Sequence, residues 1–227
     1  MEDLSPREAI RWQREHRSQL IFRPLSGSVT LVGGADLSYE IGSDLAYAGI
    51  VVLDFPALEI SAWSVVAVKM SFPYIPGLLS FREIPPLLTA WQQLPLRPQL
   101  VMLDGHGYAH PRRMGVACHF GLVADIPTIG CAKRILCGRH EPLDQKKGRF
   151  QPIIHEEEVV GYALRTKDGV KPVYVSPGHL IEAGQSRELA LACGSGYRLP
   201  ETTRQAHLLV NAARRGEVEP GVWLRSD

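Results

Sequence analysis

The sequence predicts an α/β fold in which a mixed sheet, an antiparallel three-strand meander joined by parallel strands, is flanked by helices. Three observations carry this. Strand-length apolar runs follow one another at Val29 to Tyr39, Leu45 to Leu53 and Ser61 to Val68, with only short turns between them, the pattern of consecutive antiparallel strands. The run Gln99 to Leu103 is wholly apolar beyond its first residue, as a buried central strand is. A chain of 227 residues, 45% of them hydrophobic, can bury a full core as a single domain over 1–227.

Taken in order, the chain opens with Ser5-Pro6-Arg7-Glu8. Ser is an N-cap, Pro stands at the first helical position and Glu closes a capping box, so a helix runs to about Gln19. Arg11, Arg14, Arg17 and His16 make it basic. The meander follows, with Asp36 set inside its first strand after Gly33-Gly34. Then Pro73 and Pro76 bracket Tyr74-Ile75, fixing φ on either side. Such a loop is either a rigid apolar tip that wedges between stacked bases or a connection whose Tyr74 packs on its own domain. The next helix, Leu78 to Gln93, carries Glu83 in its first two turns, although Pro85-Pro86 would suit a start nearer Glu83. A strand then delivers Asp104 to Gly105-His106-Gly107 and on to His110-Pro111-Arg112-Arg113. Ala117 to Val123 is a short helix, and Ile126 to Lys133 a strand ending in lysine. The charged stretch Gly138 to Glu158 is an exposed loop. Val159 to Thr166 and Val173 to Ser176 are strands flanking a Lys167-Asp168-Gly169 hairpin turn. Pro177-Gly178-His179 leads into a helix ending at Cys193, and a last helix, capped by Thr202 or Thr203, holds Arg204, His207 and Asn211 and stops near Gly216.

Composition excludes several classes. Lys plus Arg is 25 against 24 for Asp plus Glu, so a nucleic-acid contact requires a local basic face. Cys118, Cys131, Cys137 and Cys193 show no Cys-x-x-Cys spacing, which predicts buried, reduced thiols and, with no signal peptide, a cytoplasmic protein. No apolar run is long enough to span a membrane. Zinc-site spacing, the metal-dependent base deaminase pattern, a Walker lysine loop and a dinucleotide-binding glycine pattern are all missing.

Asp36, Glu83 and Asp104 stand in apolar or glycine-rich surroundings where solvated acids are unexpected. Buried carboxylates need partners. Each can pair locally, as with Arg82, or the three can converge on Mg²⁺ or Mn²⁺, hard cations suited to oxygen ligands and to phosphate chemistry. His110 can carry a proton or orient water, and Lys133 can meet charge on a phosphate, though a lone His or Lys is more often solvated. His207 shares a helix face with Arg204 and Asn211.

The motifs Gly34-Ala35-Asp36-Leu37-Ser38-Tyr39, Pro73-Tyr74-Ile75-Pro76-Gly77 with Phe81-Arg82-Glu83, Asp104-Gly105-His106-Gly107 with His110 to Gly115, and Ile129-Gly130-Cys131-Ala132-Lys133 resemble the endonuclease V family of deoxyinosine-specific repair nucleases. Val175 to His179 and Thr203 to His207 extend the match. The resemblance implies a ribonuclease H-like fold with Asp36, Glu83 and Asp104 as ligands of catalytic Mg²⁺ (Mn²⁺ substituting), and His207 near the metal. His110 and Lys133 match catalytic positions. Pro73, Tyr74, Ile75 and Pro76 look like the family's wedge, and Gly77, Leu79, Gly105 and Gly107 its base pocket. Arg82, Arg112, Arg113 and Lys133 are expected at phosphates, and His106 has no role. The implied reaction is hydrolysis, by a water that Mg²⁺ activates, of the second phosphodiester 3′ to deoxyinosine in DNA, leaving a 3′-hydroxyl and a 5′-phosphate. The expected protein is a DNA-binding monomer with no membrane or protein partner. An inosine-specific endoribonuclease, another ribonuclease H-like nuclease such as a junction resolvase, and a non-catalytic nucleic-acid binder are the alternatives. Three intact acids disfavour the last, because clustered negative charge repels phosphate unless a cation intervenes.

Overall fold

A computed structural model describes residues 4–40 and 42–226; the extreme ends of the expected 1–227 domain lie outside them. Strands β1 (Leu31–Tyr39), β2 (Leu45–Asp54) and β3 (Ile60–Lys69) form the antiparallel meander. β4 (Leu100–Leu103) joins β1 in parallel and β5 (Thr128–Ala132) joins β4 in parallel. With β6 (Phe150–His155), β7 (Glu158–Leu164), β8 (Val173–His179) and β9 (Gly221–Leu224) they make one nine-stranded sheet ordered β6-β7-β8-β5-β4-β1-β2-β3-β9.

The period of two in strands decides which helix each residue meets. Ile50 and Val52 point to one face, where Ile84 and Leu87 of α2 (Leu79–Gln93) and Phe120 of α3 (Val116–Ala124) pack. Val51 and Leu53 point to the other, with Ala190 of α4 (Ala183–Ala192) and Ala206 of α5 (Glu201–Arg214). Both faces are covered, so β2 reads as an unbroken apolar run. The capping-box helix α1 is Pro6–His16, followed by a 3₁₀ turn at Arg17–Gln19. It packs through Ala9 and Trp12 on Phe72, Leu78 and Phe81.

Several boundaries differ from the sequence reading. α2 starts at Leu79 and keeps Pro85 and Pro86 inside it. Those prolines cannot donate to the carbonyls of Phe81 and Arg82, but burial of Phe81, Ile84 and Leu87 holds the helix to the sheet. Gly138 to Glu158, expected as an exposed loop, contains β6, joined to β7 by Glu156 and Glu157 at φ of 53° and 64°. That is a tight turn of the hairpin kind built without its usual Asn or Gly. Pro177 to His179 belong to β8, Thr202 and Thr203 are buried within α5, and β9 was not anticipated. The connection carrying Lys167 to Gly169 spans residues 165–172 and is longer than a hairpin turn. All four cysteines are free; three are buried and Cys137 is half-buried.

His119, on α3, is fully buried between Trp12, stacked at 4.2 Å, and the edge of Phe81. Neither ring nitrogen has a hydrogen-bond partner among the described residues. Burial pushes the imidazole down to about 3, so the folded protein holds it neutral while the unfolded chain protonates it below about 6.5. Stability therefore falls as pH drops through that window, His106 and His110, both held near 4, adding to the slope. A His119→Phe variant, which keeps the aromatic packing, is expected to lose less melting temperature than wild type between pH 7.5 and 5.0. Equal losses in a thermal melt would show that His119 is not a source of the slope.

Candidate metal centre and adjoining pocket

The parallel register of β1 and β4 pairs Ala35 with Leu103. The next residue on each strand is therefore an acid, and Asp36 and Asp104 lie side by side; the Asp104 N–H donates to the Ala35 carbonyl at 3.2 Å. α5 then brings a third group. At Gly34 a Cβ would fall 1.9 Å from the Thr202 carbonyl oxygen, so only glycine lets α5 lie this close to β1. Thr202, Ala206, Val210 and Ala213 form its buried face, and His207 emerges beside it, with Nδ1 2.8 Å from Asp36 Oδ2. Asn211 braces this helix edge, its Nδ2 donating to the His207 carbonyl and its Oδ1 accepting from Ser38 Oγ.

Asp36, Asp104 and His207 each present a ligand atom within 4.8 Å of the others. Glu83, from the second turn of α2, is not within that group. It keeps some surface open to the cleft yet is hemmed in closely: lost hydration, then the charges of Asp36 and Asp104, raise its carboxyl to about 8. Desolvation and Asp36 likewise raise Asp104. Opposing this, Lys133 Nζ contacts Asp104 Oδ2. Two converging carboxylates and one imidazole, with the Glu83 carboxyl crowded beside them, form a donor set that a hard divalent cation would stabilise and that fits Mg²⁺ or Mn²⁺.

Lys133 is held from behind. Arg198 Nη2 donates to its carbonyl at 2.6 Å, and His106 Nε2 donates to the Arg134 carbonyl at 3.0 Å. His106, without a role in the sequence, thus ties the loop after β4 to the loop after β5.

Beside the acids lies a cavity of about 200 Å³. Tyr74, Gly77, Leu79, Glu83, Asp104 and Gly105 are among its walls. Tyr74 is 60% exposed, so of the two readings of the Pro-bracketed loop it is the projecting one that applies to this side chain. Ile75 instead packs partly against the Phe72 and Phe81 cluster, since the α1 side of the loop offers it an apolar surface.

Five of the expected site residues make other contacts in the structure. Gly107 does not line the cavity, because its N–H donates to Ser176 Oγ at 2.9 Å and the Pro177 carbonyl closes over it. His110 is in the wall, with both ring nitrogens engaged by main-chain atoms. Its Nδ1 accepts the Arg112 N–H at 3.1 Å, which leaves the ring proton on Nε2, donated to the Gly77 carbonyl at 3.1 Å. Arg113 is buried and spent on Glu158 at 2.9 Å, Glu156 at 3.3 Å and the His155 carbonyl. Arg82 and Arg112 are drawn inward too, to the carbonyls of Phe72 and Gly77 at 2.7 Å each. Of the four expected phosphate contacts, Lys133 is the one whose charged end stands among the acids. The sequence reading missed Gln13, Ser176 and Arg198, all of which act on main-chain atoms, and no local pattern announces such a contact.

Carboxylates gathered where β4 ends beside the interior of the parallel strand β1, next to a cavity with a projecting aromatic at its rim, define a metal-dependent nuclease of ribonuclease H-like fold. Comparison with known proteins makes the assignment specific. The Endonuclease V family model matches residues 14–208. An Endonuclease V of Myxococcus xanthus is 51% identical over 96% of this chain and 93% of its own length, and one of Roseiflexus castenholzii is 47% identical over 89% and 90%. The crystal structure of Endonuclease V from Streptomyces avermitilis, 39% identical, superimposes with a TM-score of 0.90 over 95% of this chain and 96% of that one. Endonuclease V of Ciona intestinalis, solved with a 24mer DNA containing an inosine followed by a ribo-adenosine, gives 0.83 at 31% identity over 93% and 98%. The chain belongs to the endonuclease V family.

Proposed function

We propose that this protein recognises deoxyinosine in DNA and hydrolyses the second phosphodiester bond on its 3′ side, leaving a 3′-hydroxyl and a 5′-phosphate, with Mg²⁺ as its metal and Mn²⁺ able to substitute. The observation that carries the reading is the continuity of the cavity with the acids: Glu83 and Asp104 belong both to the carboxylate cluster and to the pocket wall. A base turned into the cavity therefore brings its own strand to the metal centre. The Ciona relative bound to inosine-containing DNA supports the choice of base.

Each residue acts by its position. Tyr74 enters the stack and occupies the space the base leaves. Inosine pairs weakly, so extruding it costs less than extruding a normal base, and backbone groups around Gly105 and Leu79 can read its edge. Asp36, Asp104 and His207, with Glu83 beside them, would hold the metal, which when bound supplies a Lewis acid for water activation and for charge on the phosphate. Lys133, fixed through the Lys133 and Arg134 carbonyls, places a cation where the leaving oxygen gathers charge. The working form is proposed to be a cytoplasmic monomer.

Cleavage of inosine in duplex DNA, single-stranded DNA and RNA, each with Mg²⁺ and with Mn²⁺, tests substrate and metal together. The expected result is cleavage of both DNA forms with either ion. Efficient cleavage confined to RNA would replace the reading with an endoribonuclease.

A further inference from the structure

Three donors converge on one carbonyl behind the pocket wall. Gly77 closes a β-turn in which the Leu78 N–H donates to the Ile75 carbonyl at 2.9 Å, and its φ of 79° is in the range that favours glycine. Its carbonyl accepts from Gln13 Nε2 at 3.1 Å, His110 Nε2 at 3.1 Å and Arg112 Nη2 at 2.7 Å. Gln13 is completely buried, and both its amide N–H groups and its carbonyl oxygen are engaged at this junction. The second Nε2 hydrogen goes to the Met114 carbonyl at 3.0 Å, and Oε1 accepts from Arg112 Nε at 2.5 Å. Gly77 and Met114 both line the cavity. At the other end of the wedge, Arg82 Nη1 holds the Phe72 carbonyl at 2.7 Å.

We infer that Gln13 is a positioning residue for base extrusion: with Arg112 and His110 it locks the Gly77 carbonyl, and through it the Pro73 to Pro76 wedge and the cavity wall, in the geometry the extruded base requires. The inference rests on the inosine reading above. A buried amide that merely satisfied itself could do so anywhere on α1. This one spends every group on the turn that ends the wedge, on the cavity wall and on the arginine that joins them. Without it the Gly77 carbonyl keeps two donors, but the Met114 carbonyl loses the donor Gln13 gives it and Arg112 loses the acceptor that orients its fork. The turn then samples positions in which Tyr74 and the wall no longer match one extruded base, so binding includes a cost of ordering that the wild type avoids.

The effect belongs to lesion capture and leaves the metal centre alone. Single-turnover cleavage at rising enzyme concentration separates the half-saturating concentration from the maximal rate. For Gln13→Met, which fills the space without donors, the half-saturating concentration on an inosine duplex is expected to rise about tenfold or more, with the maximal rate and the affinity for an unmodified duplex within about twofold. The fluorescence rise of a 2-aminopurine placed beside the inosine should fall in parallel. Arg112→Lys, which cannot bond Gln13 and Gly77 at once, is expected to show the same split, so the inference is testable if one variant folds poorly. An unchanged half-saturating concentration, or equal weakening on both duplexes, would overturn it. A wild type that does not distinguish the duplexes overturns the inosine reading and the inference with it, whereas a discriminating wild type beside unchanged variants overturns the inference alone.

Discussion

Replacing Asp104 with alanine is expected to lower the rate of inosine-directed cleavage by about 10³-fold or more while leaving the protein folded. The magnitude follows from where the group stands. Asp104 leaves the end of β4 beside Asp36, faces Lys133 and shares the cavity with Glu83, so under the proposed function its loss would remove a metal ligand and free the lysine set to meet the phosphate. Groups placed where charge develops in a transition state are typically worth about two or three powers of ten each. Stability should not suffer in proportion. The acids are crowded, and removing one relieves repulsion that the apoprotein carries. A cleavage time course with Mg²⁺, paired with a thermal melt, checks both halves. Wild-type rates in the variant would remove Asp104 from the centre.

Tyr74→Ala carries the second large effect, and it falls on a different step. The ring projects from a loop stiffened by Pro73 and Pro76 and pinned at the Phe72 and Gly77 carbonyls. A side chain so presented loses little freedom on entering a base stack. Stacking of one aromatic on one base contributes about 1–3 kcal/mol, so affinity for an inosine duplex is expected to fall roughly 10- to 100-fold. The concentration of Mg²⁺ giving half-maximal cleavage should stay the same. A variant with normal DNA affinity and altered metal dependence would contradict the wedge.

Much of this was legible in the sequence, for physical reasons. The meander announces itself because strands with two covered faces are long apolar runs, and Asp36 and Asp104 stand out because carboxylates are costly inside such runs. What joins the two acids is a parallel register that no local pattern encodes, and what brings His207 to them is the absence of a Cβ at Gly34. Other parts were hidden. β6 lies at a sheet edge among charged residues and turns through two glutamates, so neither alternation nor a glycine marks it. Arg113 and Arg112 looked like phosphate ligands because basic residues beside a catalytic loop usually face solvent. Here one neutralises Glu156 and Glu158 and the other holds Gly77. His110 stands out in the sequence as a carrier of a proton or an orienter of water, and the contacts of its two ring nitrogens with main-chain atoms are visible only in the fold. Side-chain contacts across 99 or 101 residues, such as those of Gln13 with the Arg112 guanidinium and the Met114 carbonyl, leave no trace in spacing.

The central claim is that the carboxylate centre and the adjoining cavity act as one unit on an inosine and the strand that follows it. The most direct measurement maps the nick made in a duplex with a single inosine, labelled at either end, with Mg²⁺ and with EDTA, beside the same duplex carrying adenine. The account predicts one Mg²⁺-dependent break at the second phosphodiester 3′ to the inosine, ending in a 3′-hydroxyl and a 5′-phosphate, and an intact adenine duplex. Cleavage that persists in EDTA, or that falls without regard to the inosine, would contradict it.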